Sequence, residues 1–423
     1  MSEKLFKSTA IVSMMTFLSR ILGFIRDIVI ARLFGAGVGA DVFFVAFKIP
    51  NFLRRLFAEG AFSQAFIPVL AEYRQRGDKD LKELIANTSG TLAGMLFVIT
   101  AIGVIAAPIL VMIFAPGFID NQHKLNLAGD LLTITFPYLF FISLTALAGS
   151  ILNSFGKFAV PAFTPVFLNL SLIACAIWLS PLLDQPITAL AWGVFIGGVV
   201  QLIFQIPFLI KIDQLPKPKW GWNNRGVQKI LKLMLPAMFG VSVSQINLLL
   251  DTLLASFLVT GSISWLYYSD RLVEFPLGIV GIALATVILP SLSKKHAAAS
   301  KAEFSHTIDW ALRWVFIIGT PAAIGLIWLA EPLLLTLFQY GEFSPEDAHK
   351  ASLSLMAYGL GLLPFIFIKV LAPGYFARQD TKTPVKIGII AMSTNMVLNI
   401  ILMLQLAHVG LALATSLSAG LNA

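Results

Sequence analysis

The stretch STAIVSMMTFLSRILGFIRDIVIARLF (8–34) decides how this chain folds, because it is long and apolar yet carries charges inside it. A helix of roughly 20 apolar residues is enough to cross a bilayer. Apolar runs of this length recur along the 423-residue chain, which is 57% hydrophobic and only 12% charged, whereas soluble domains carry about a quarter charged residues. The short alternating segments of a membrane β-barrel are not the pattern here. The composition predicts an all-α polytopic membrane protein.

The apolar runs predict twelve membrane spans joined by short loops, with no separate soluble domain. Their ranges are 8–34, 40–70, 84–114, 128–152, 160–181, 187–211, 228–258, 264–292, 306–330, 351–373, 384–404 and 408–423. The first run continues through arginines and has no small-residue cleavage site, so it indicates a retained span and not a signal peptide.

Basic residues lie mainly in alternate loops. If the N-terminus is inside the cell, the cytoplasmic loops 71–83, 212–227 and 293–305 are rich in Lys and Arg, while the opposite loops hold only Lys124 and Lys350. The positive-inside rule therefore predicts a multi-pass protein with a cytoplasmic N-terminus. Membrane topology also explains the net charge of +8, so we expect no nucleic-acid partner.

Two short blocks of the first half recur in the second half at nearly the same offset along the chain. Pro68 in AFIPVLAEY corresponds to Pro290 in VILPSLSKK. LAGSILNSFGKFAVP (147–161) is similar to LAPGYFARQDTKTP (371–384), and the offset between their starts is nearly that between the two prolines. The common offset predicts an internal repeat of six spans, so both halves have the same orientation, as in many alternating-access transporters.

This repeat predicts two six-helix lobes of the kind found in transporters of the multidrug/oligosaccharidyl-lipid/polysaccharide exporter (MOP) type. The first lobe is 1–212, the second is 228–423, and a cytoplasmic linker, 213–227, joins them. By the same offset, the counterpart of the sixth span would continue past Ala423, so we expect the twelfth helix to be cut short.

Ionisable residues inside the first two spans are the main functional signal. Charges in a bilayer are costly unless they are paired or face water, and they commonly mark functional sites. The set comprises Arg20, Arg26, Asp27, Arg32, Asp41, Lys48, Arg54, Arg55 and Glu59. We expect Arg32 and Asp41 to lie near the outer ends of their helices and to reach the membrane surface.

Structural ion pairing is one interpretation of this set. Arg20 and Asp27 share a helix face seven residues apart, and Arg55 can pair with Glu59 at i,i+4. Such pairing leaves these cations without a carboxylate in the two spans: Arg26, Lys48 and Arg54. An anionic ligand is the other interpretation, because the guanidinium fork binds phosphate oxygens bidentately and keeps its charge. A diphosphate headgroup would suit this cluster.

The segment YYSDRLVEFP (267–276) adds charges to the second lobe. Arg271 can pair locally with Glu274 at i,i+3, or it can face the first-lobe arginines across a central cavity. The internal repeat supports the second geometry, because Asp270 follows Lys48 at the same offset that separates the two matching prolines.

Polar residues in two later spans form a candidate cation site. Asp251 is isolated in the seventh span, and Asn395 and Asn399 lie four residues apart in the eleventh. Their oxygen atoms could hold Na⁺ or a proton, or could simply hydrogen-bond between helices. Phosphate-binding loops, nucleophile elbows and zinc motifs are missing from the sequence, and Cys175 is the single cysteine. We therefore predict a protein that is not an enzyme and has no cofactor or metal centre.

Four long blocks of the sequence resemble the MurJ (MviN) family of bacterial lipid II flippases, within the MOP superfamily. They are SRILGFIRD, DVFFVAFKIPNFLRRLFAEGAFSQAFIPVLAEY, GVSVSQINLLLDTLLASFL and YYSDRLVEFPLGIVGIALATVILPSLS. The resemblance implies movement of the undecaprenyl-diphosphate-linked peptidoglycan precursor from the cytoplasmic to the periplasmic leaflet of the inner membrane. It implies lipid II and membrane lipids as partners, together with other proteins of cell-wall synthesis.

The resemblance also implies roles for particular residues. The arginines that match the family's essential cavity positions are Arg20, Arg26, Arg54 and Arg271. Functionally sensitive positions of the family match Ser19, Asp41, Lys48, Arg55, Glu59, Asp270 and Glu274. Since no ATP site is present, coupling to Na⁺, H⁺ or the membrane potential is the working hypothesis. An exporter of another isoprenoid-diphosphate-linked glycan, a multidrug or cation antiporter of the superfamily and a non-transporting scaffold remain alternatives.

Overall fold

The computed structural model describes residues 3–281, 288, 291–292, 300–380 and 382–423, and these residues contain helices and no strands. The all-α prediction is confirmed. The first half contains α1 (Glu3–Phe34), α2 (Val38–Arg54), α3 (Ser63–Arg76), α4 (Asp78–Ile105), α5 (Ala107–Phe114), α6 (Gln122–Thr135), α7 (Tyr138–Ser154), α8 (Ala159–Phe163), α9 (Pro165–Ala174) and α10 (Thr188–Lys211). The second half contains α11 (Arg225–Ala255), α12 (Ser262–Pro276), α13 (Lys301–Trp328), α14 (Ala330–Phe338), α15 (Pro345–Ala377) and α16 (Lys382–Asn422).

Several of these helices satisfy the length and apolarity needed to cross a membrane. In the described part of the chain there are seven such helical stretches: Asp78–Ile105, Gln122–Ser154, Ala159–Leu182, Thr188–Lys211, Ala302–Trp328, Pro345–Ala377 and Lys382–Asn422. The last one contains a break at Ala407, whose φ of 50° and ψ of −130° are not helical. This break falls between the predicted spans 384–404 and 408–423. The chain is therefore a multi-pass membrane protein.

The order of helices repeats between the two halves at the predicted offset. The long helix α1 corresponds to α11, α2 to α12, and α4 to α13. A π-helical segment follows α2 at Arg55–Phe62, and another follows α12 at Leu277–Gly281. The starts of these two segments are separated by the same offset as Pro68 and Pro290. A third π-helical segment, Cys175–Leu179, has no counterpart within α16. Because π-helical turns are rare, the recurrence of the other two at the same offset is nevertheless specific, and the predicted internal repeat is confirmed.

The chain divides into two compact units. One comprises Met1–Leu33 and Val42–Leu249, and the other comprises Phe34–Asp41 and Leu250–Ala423. In the first unit, α3, α4 and α7 pack around side chains that are at most 3% exposed, including Phe66, Leu84 and Ile151. Burying side chains of this size stabilises a fold by about 1.5–3 kcal/mol each in water. The predicted boundary at 213–227 remains a prediction.

Local sequence signals define the start of α15 in the second unit. Ser344 precedes the helix, Pro345 occupies its first turn, and Asp347 is three residues after Ser344. The Ser344 hydroxyl accepts from the Asp347 backbone N–H at 3.1 Å, and the Asp347 carboxylate accepts from the Ser344 backbone N–H at 3.0 Å. This capping box satisfies two backbone donors that the helix itself leaves unpaired.

The segment between α10 and α11 packs tightly on α4 in the first unit. The Lys219 backbone N–H donates to the Ala86 carbonyl at 3.0 Å, and the Gly221 N–H donates to the Thr91 hydroxyl at 3.0 Å. Glycine is required on α4 because a Cβ at Gly90 would lie 2.2 Å from the Lys219 carbonyl oxygen. The linker is thus held by backbone contacts that leave no room for a side chain.

Replacing Gly90 by alanine should therefore displace the linker. We expect Gly90→Ala to lower the free energy of unfolding by about 1–3 kcal/mol, as overpacking usually does. Thermal unfolding in detergent measures this. Gly325→Ala is the matched control, because it is also a helical glycine but a Cβ there meets nothing within 4 Å. Equal unfolding temperatures for the two variants would contradict the tight contact.

Candidate functional site

Arg26 and Asp27, adjacent on α1, form a largely buried charged pair within the first unit. Arg26 donates to the same Asp27 oxygen, Oδ1, from Nε at 2.9 Å and from Nη2 at 2.7 Å. Asp27 is only 1% exposed. A buried carboxylate needs such a partner, because an uncompensated charge in an apolar surrounding is strongly destabilising.

A neutral side chain from α9 completes this pair. Arg26 Nη1 donates to Asn169 Oδ1 at 3.0 Å, and Asn169 Nδ2 donates to the Ser19 carbonyl at 3.0 Å. Asn169 is buried, and it faces Gly23, where a Cβ would be 3.6 Å from its amide nitrogen. Asn169 was not among the predicted site residues. The only signal was one amide within an otherwise apolar span.

The expectation that Arg26 has no carboxylate in these spans is wrong. Neighbouring residues on a helix do not face each other, which is why the sequence favoured Asp27 and Arg20 as partners. The Arg26 side chain is nevertheless long enough for its guanidinium to contact the Asp27 carboxylate. Arg20 is exposed and has no ion pair in the described part of the chain.

The remaining first-unit cations lie on α2 and the π-helical segment that follows it. Arg54 is half-buried and donates from Nε to Asn51 Oδ1 at 2.8 Å, one turn earlier. Lys48 and Arg55 are also half-buried. The predicted pairing of Arg55 with Glu59 lies outside the described residues, because the Glu59 side chain is not described.

Arg271 on α12 makes the local pair that the sequence allows. Its Nη1 donates to Glu274 Oε2 at 2.8 Å, and its Nη2 is 3.9 Å from Asp270 Oδ2. Its guanidinium also lies 4.9 Å from the centre of the Tyr267 ring. All three charged side chains keep part of their surface exposed, at 29% for Arg271, 47% for Asp270 and 44% for Glu274. Such a pair is accessible to a competing anion.

The expectation that Asp41 reaches the membrane surface is wrong, because its side chain is only 2% exposed. In the second unit it accepts hydrogen bonds from the Gly261 N–H at 2.6 Å, the Ser264 N–H at 2.9 Å and the Ser264 hydroxyl at 2.6 Å. The carboxylate therefore caps the first turn of α12, where unpaired backbone N–H groups and the helix dipole both favour a negative charge. A residue distant in sequence supplies the cap, so local pattern could not reveal it.

The candidate cation-site residues are brought together in the second unit. Asn399 Nδ2 donates to Asp251 Oδ1 at 2.7 Å and to Asn395 Oδ1 at 2.9 Å. The hydroxyl of Thr415, a residue that was not predicted to belong to this site, lies 3.5 Å from Asn395 Nδ2. Asn395 and Asn399 are at most 1% exposed. Helix-to-helix hydrogen bonding is thus confirmed, and cation binding stays a prediction.

This architecture defines a multi-pass helical transporter fold built from a duplicated unit. A solved structure described as an inward-facing conformation of a multidrug resistance MATE family transporter of the MOP superfamily matches with a TM-score of 0.74, covering 98% of this chain and 95% of that chain. Its sequence identity is 13%, so this likeness concerns the fold alone.

The chain belongs to the lipid II flippase MurJ family. The family model described as "Lipid II flippase MurJ" matches residues 30–423. The "Probable lipid II flippase MurJ" of Vibrio cholerae serotype O1 is 59% identical over 429 residues, covering 100% of this chain and 82% of that protein. A solved structure of "Lipid II flippase MurJ, inward closed conformation" has a TM-score of 0.85 at 30% identity, covering 97% of this chain and 85% of that chain.

The cap on α12 yields a prediction about stability. We expect Asp41→Ala to lower the free energy of unfolding by about 1.5–3 kcal/mol, the usual contribution of a hydrogen bond to a charged group. Asp41→Asn should have a smaller effect because one amide oxygen remains as an acceptor. Thermal unfolding measures both, with the exposed residue Asp120 changed to alanine as the control. If Asp41→Ala unfolds at the same temperature as the control, the cap contributes nothing.

Proposed function

We propose that this chain flips lipid II, the undecaprenyl-diphosphate-linked peptidoglycan precursor, from the cytoplasmic to the periplasmic leaflet of the bacterial inner membrane. The observation that carries the proposal is 59% identity, over the whole chain, to a protein named a probable lipid II flippase. The proposed mechanism is alternating access with no chemical change to the substrate. The proposed orientation has the N-terminus in the cytoplasm, in line with the distribution of basic loop residues.

The arginines of the membrane-embedded helices suit the diphosphate of this substrate. Guanidinium groups form short, charge-assisted hydrogen bonds with phosphate oxygens, often in pairs. We propose that substrate contacts come from Arg20, Arg26, Arg54 and Arg271. The supporting polar and charged positions are Ser19, Asp27, Asp41, Lys48, Arg55, Glu59, Asp270 and Glu274.

The described contacts suggest that these arginines contribute differently. Arg26 is already neutralised by Asp27 and held by Asn169, so its first role is to keep a buried carboxylate paired. Arg20 is exposed on the same helix and has no described ion pair, so its charge is available to a ligand. Arg271 must exchange its contact with Glu274 for a phosphate oxygen, and the partial exposure of both groups permits that exchange.

These differences lead to a prediction about binding. We expect Arg20→Ala to weaken the binding of undecaprenyl diphosphate by about tenfold to a hundredfold, since a hydrogen bond to a charged group contributes about 1.5–3 kcal/mol. Its thermal stability should be unchanged. We expect Arg26→Ala to lower thermal stability, because Asp27 stays buried without its partner. Native mass spectrometry of the purified protein measures binding, and thermal unfolding measures stability.

The control is Arg32→Ala, which removes another exposed arginine from the same helix. Its binding of undecaprenyl diphosphate should match that of the unchanged protein. A cationic dye should not compete with the lipid, whereas a multidrug or cation antiporter would bind the dye. Equal loss of binding in Arg20→Ala and Arg32→Ala would indicate a general effect of charge and contradict a specific site.

We also propose that a monovalent cation couples transport, and that Asp251, Asn395, Asn399 and Thr415 hold it. The residues fit an ion with hard oxygen ligands, because they provide one carboxylate, two amide oxygens and a hydroxyl. The Asn399 Oδ1 atom is buried and has no hydrogen-bond partner in the described part of the chain. A buried acceptor of this kind is costly unless something satisfies it, and a cation would do so.

A cation at this position should stabilise the folded protein in proportion to its occupancy. We expect the unfolding temperature to rise when NaCl replaces choline chloride at constant ionic strength, and Asp251→Asn to abolish the rise. Asp130→Asn, on an exposed carboxylate of α6, should retain the full rise. If the unfolding temperature still rises in Asp251→Asn, or does not rise in the unchanged protein, Na⁺ does not bind at this site.

A further inference from the structure

The first unit contains an apolar pocket that the substrate arginines do not line. Its volume is about 150 Å³, and its walls come from α4, α7, α11 and the end of the π-helical segment Arg55–Phe62. The lining includes Phe62, three methionines (Met95, Met234 and Met238) and several leucine and isoleucine side chains, and the described lining residues include no ionisable group. An apolar cavity of about 150 Å³ is large enough to bind benzene. The pocket therefore has room for a small part of a ligand.

Two hydroxyl groups in the walls have no hydrogen-bond partner among the described residues. Thr88 on α4 is 3% exposed and Ser143 on α7 is 2% exposed. Thr88 Oγ1 and Ser143 Oγ are both buried without a hydrogen bond to any described residue. Most buried polar side-chain atoms in folded proteins have a hydrogen-bond partner. Two hydroxyls without one in the same pocket therefore indicate that a ligand could supply these hydrogen bonds. Thr91, also in the wall, differs because its hydroxyl accepts from the Gly221 N–H.

The chemistry of the walls selects the ligand. Apolar side chains favour hydrocarbon, and methionine adapts its shape to an irregular chain because its side chain is unbranched and flexible. A charged group is excluded, since nothing in the lining would compensate for its loss of hydration. A neutral oxygen is favoured, because a serine or threonine hydroxyl can donate to it or accept from it.

We propose that this pocket binds a hydrocarbon chain that carries one neutral oxygen. Two sources share this chemistry: the ester-bearing end of a phospholipid acyl chain, and a single-chain alcohol or ester. One wall is α4, which meets the length and apolarity criteria for a membrane span, and the lining residue Leu235 is exposed, so we expect either source to enter the pocket from the bilayer. No arginine is among the described lining residues, so the pocket is distinct from the arginines proposed to contact the diphosphate.

Photolabelling tests the proposal on the purified protein in lipid nanodiscs. The first probe is octanol carrying a diazirine, competed by plain octanol, and the second is phosphatidylethanolamine with a diazirine on its acyl chain. Labelled residues are mapped by mass spectrometry. We expect saturable labelling of α4 and α11 at the residues that line the pocket. Labelling by both probes assigns a phospholipid chain, and labelling by the octanol probe alone assigns a single-chain ligand.

Matched variants separate binding from general contact with lipid. Thr88→Val keeps the shape of the side chain but removes the hydroxyl, and it should weaken competition by octanol about twofold to tenfold, the effect of one neutral hydrogen bond. Ser143→Leu should fill the pocket and abolish saturable labelling. Thr100→Val is the control, because its Oγ1 is also buried without a described partner on α4 but lies outside the pocket. Unsaturable labelling, or equal effects of Thr88→Val and Thr100→Val, would overturn the proposal.

Discussion

A buried carboxylate in the first helix imposes the constraint on which the first unit depends. Asp27 is almost fully buried, and ions of this kind cost several kcal/mol in an apolar surrounding unless they are compensated. Arg26 provides the charge, Asn169 fixes the guanidinium, and the Ser19 carbonyl orients Asn169. One network thus joins α1 to α9 through side chains of three types. If α1 moves away from α9, these hydrogen bonds must break; otherwise the two helices must move together.

Carboxylates of the second unit are also hydrogen-bonded, but their donors are different groups. Asp41 is satisfied by the backbone N–H groups at the start of α12, and Asp251 by the amide of Asn399. The donors described for both carboxylates are backbone N–H groups, a hydroxyl and an amide, all of them neutral. Arg20, in contrast, is exposed and forms no ion pair in the described part of the chain. We therefore regard Arg20 as the residue whose charge is most directly explained by an anionic substrate.

The sequence predicts the large features of this fold well, because they follow from periodic or additive properties. Apolar runs locate the helices, and the offset between Pro68 and Pro290 equals the one between the starts of the two π-helical segments at Arg55 and Leu277. The local pair of Arg271 with Glu274 is also predictable, since i,i+3 residues are neighbours on a helix. These features depend on residues close in sequence or on a repeat.

Contacts between residues that are far apart in the sequence could not be predicted. Asn169 lies 143 residues from Arg26, and Asp41 lies 223 residues from Ser264, so no local pattern connects them. Thr415 was missed because a single threonine in an apolar span is ordinary. The pairing of Arg26 with Asp27 was missed for another reason: helix geometry disfavours contacts between adjacent residues, and the length of the arginine side chain overcomes that rule.

If the first helix faces a water-accessible site for a diphosphate, lipid II should protect a thiol placed beside Arg20 from modification. Ser19→Cys keeps Arg20 in place, and Cys175→Ala removes the single native thiol, which is buried. We predict that a membrane-impermeant maleimide modifies this variant in proteoliposomes and that lipid II slows the modification strongly, while a phospholipid of equal charge does not. A thiol that never reacts, or one that reacts equally fast with and without lipid II, would contradict the placement of a diphosphate site beside the first helix.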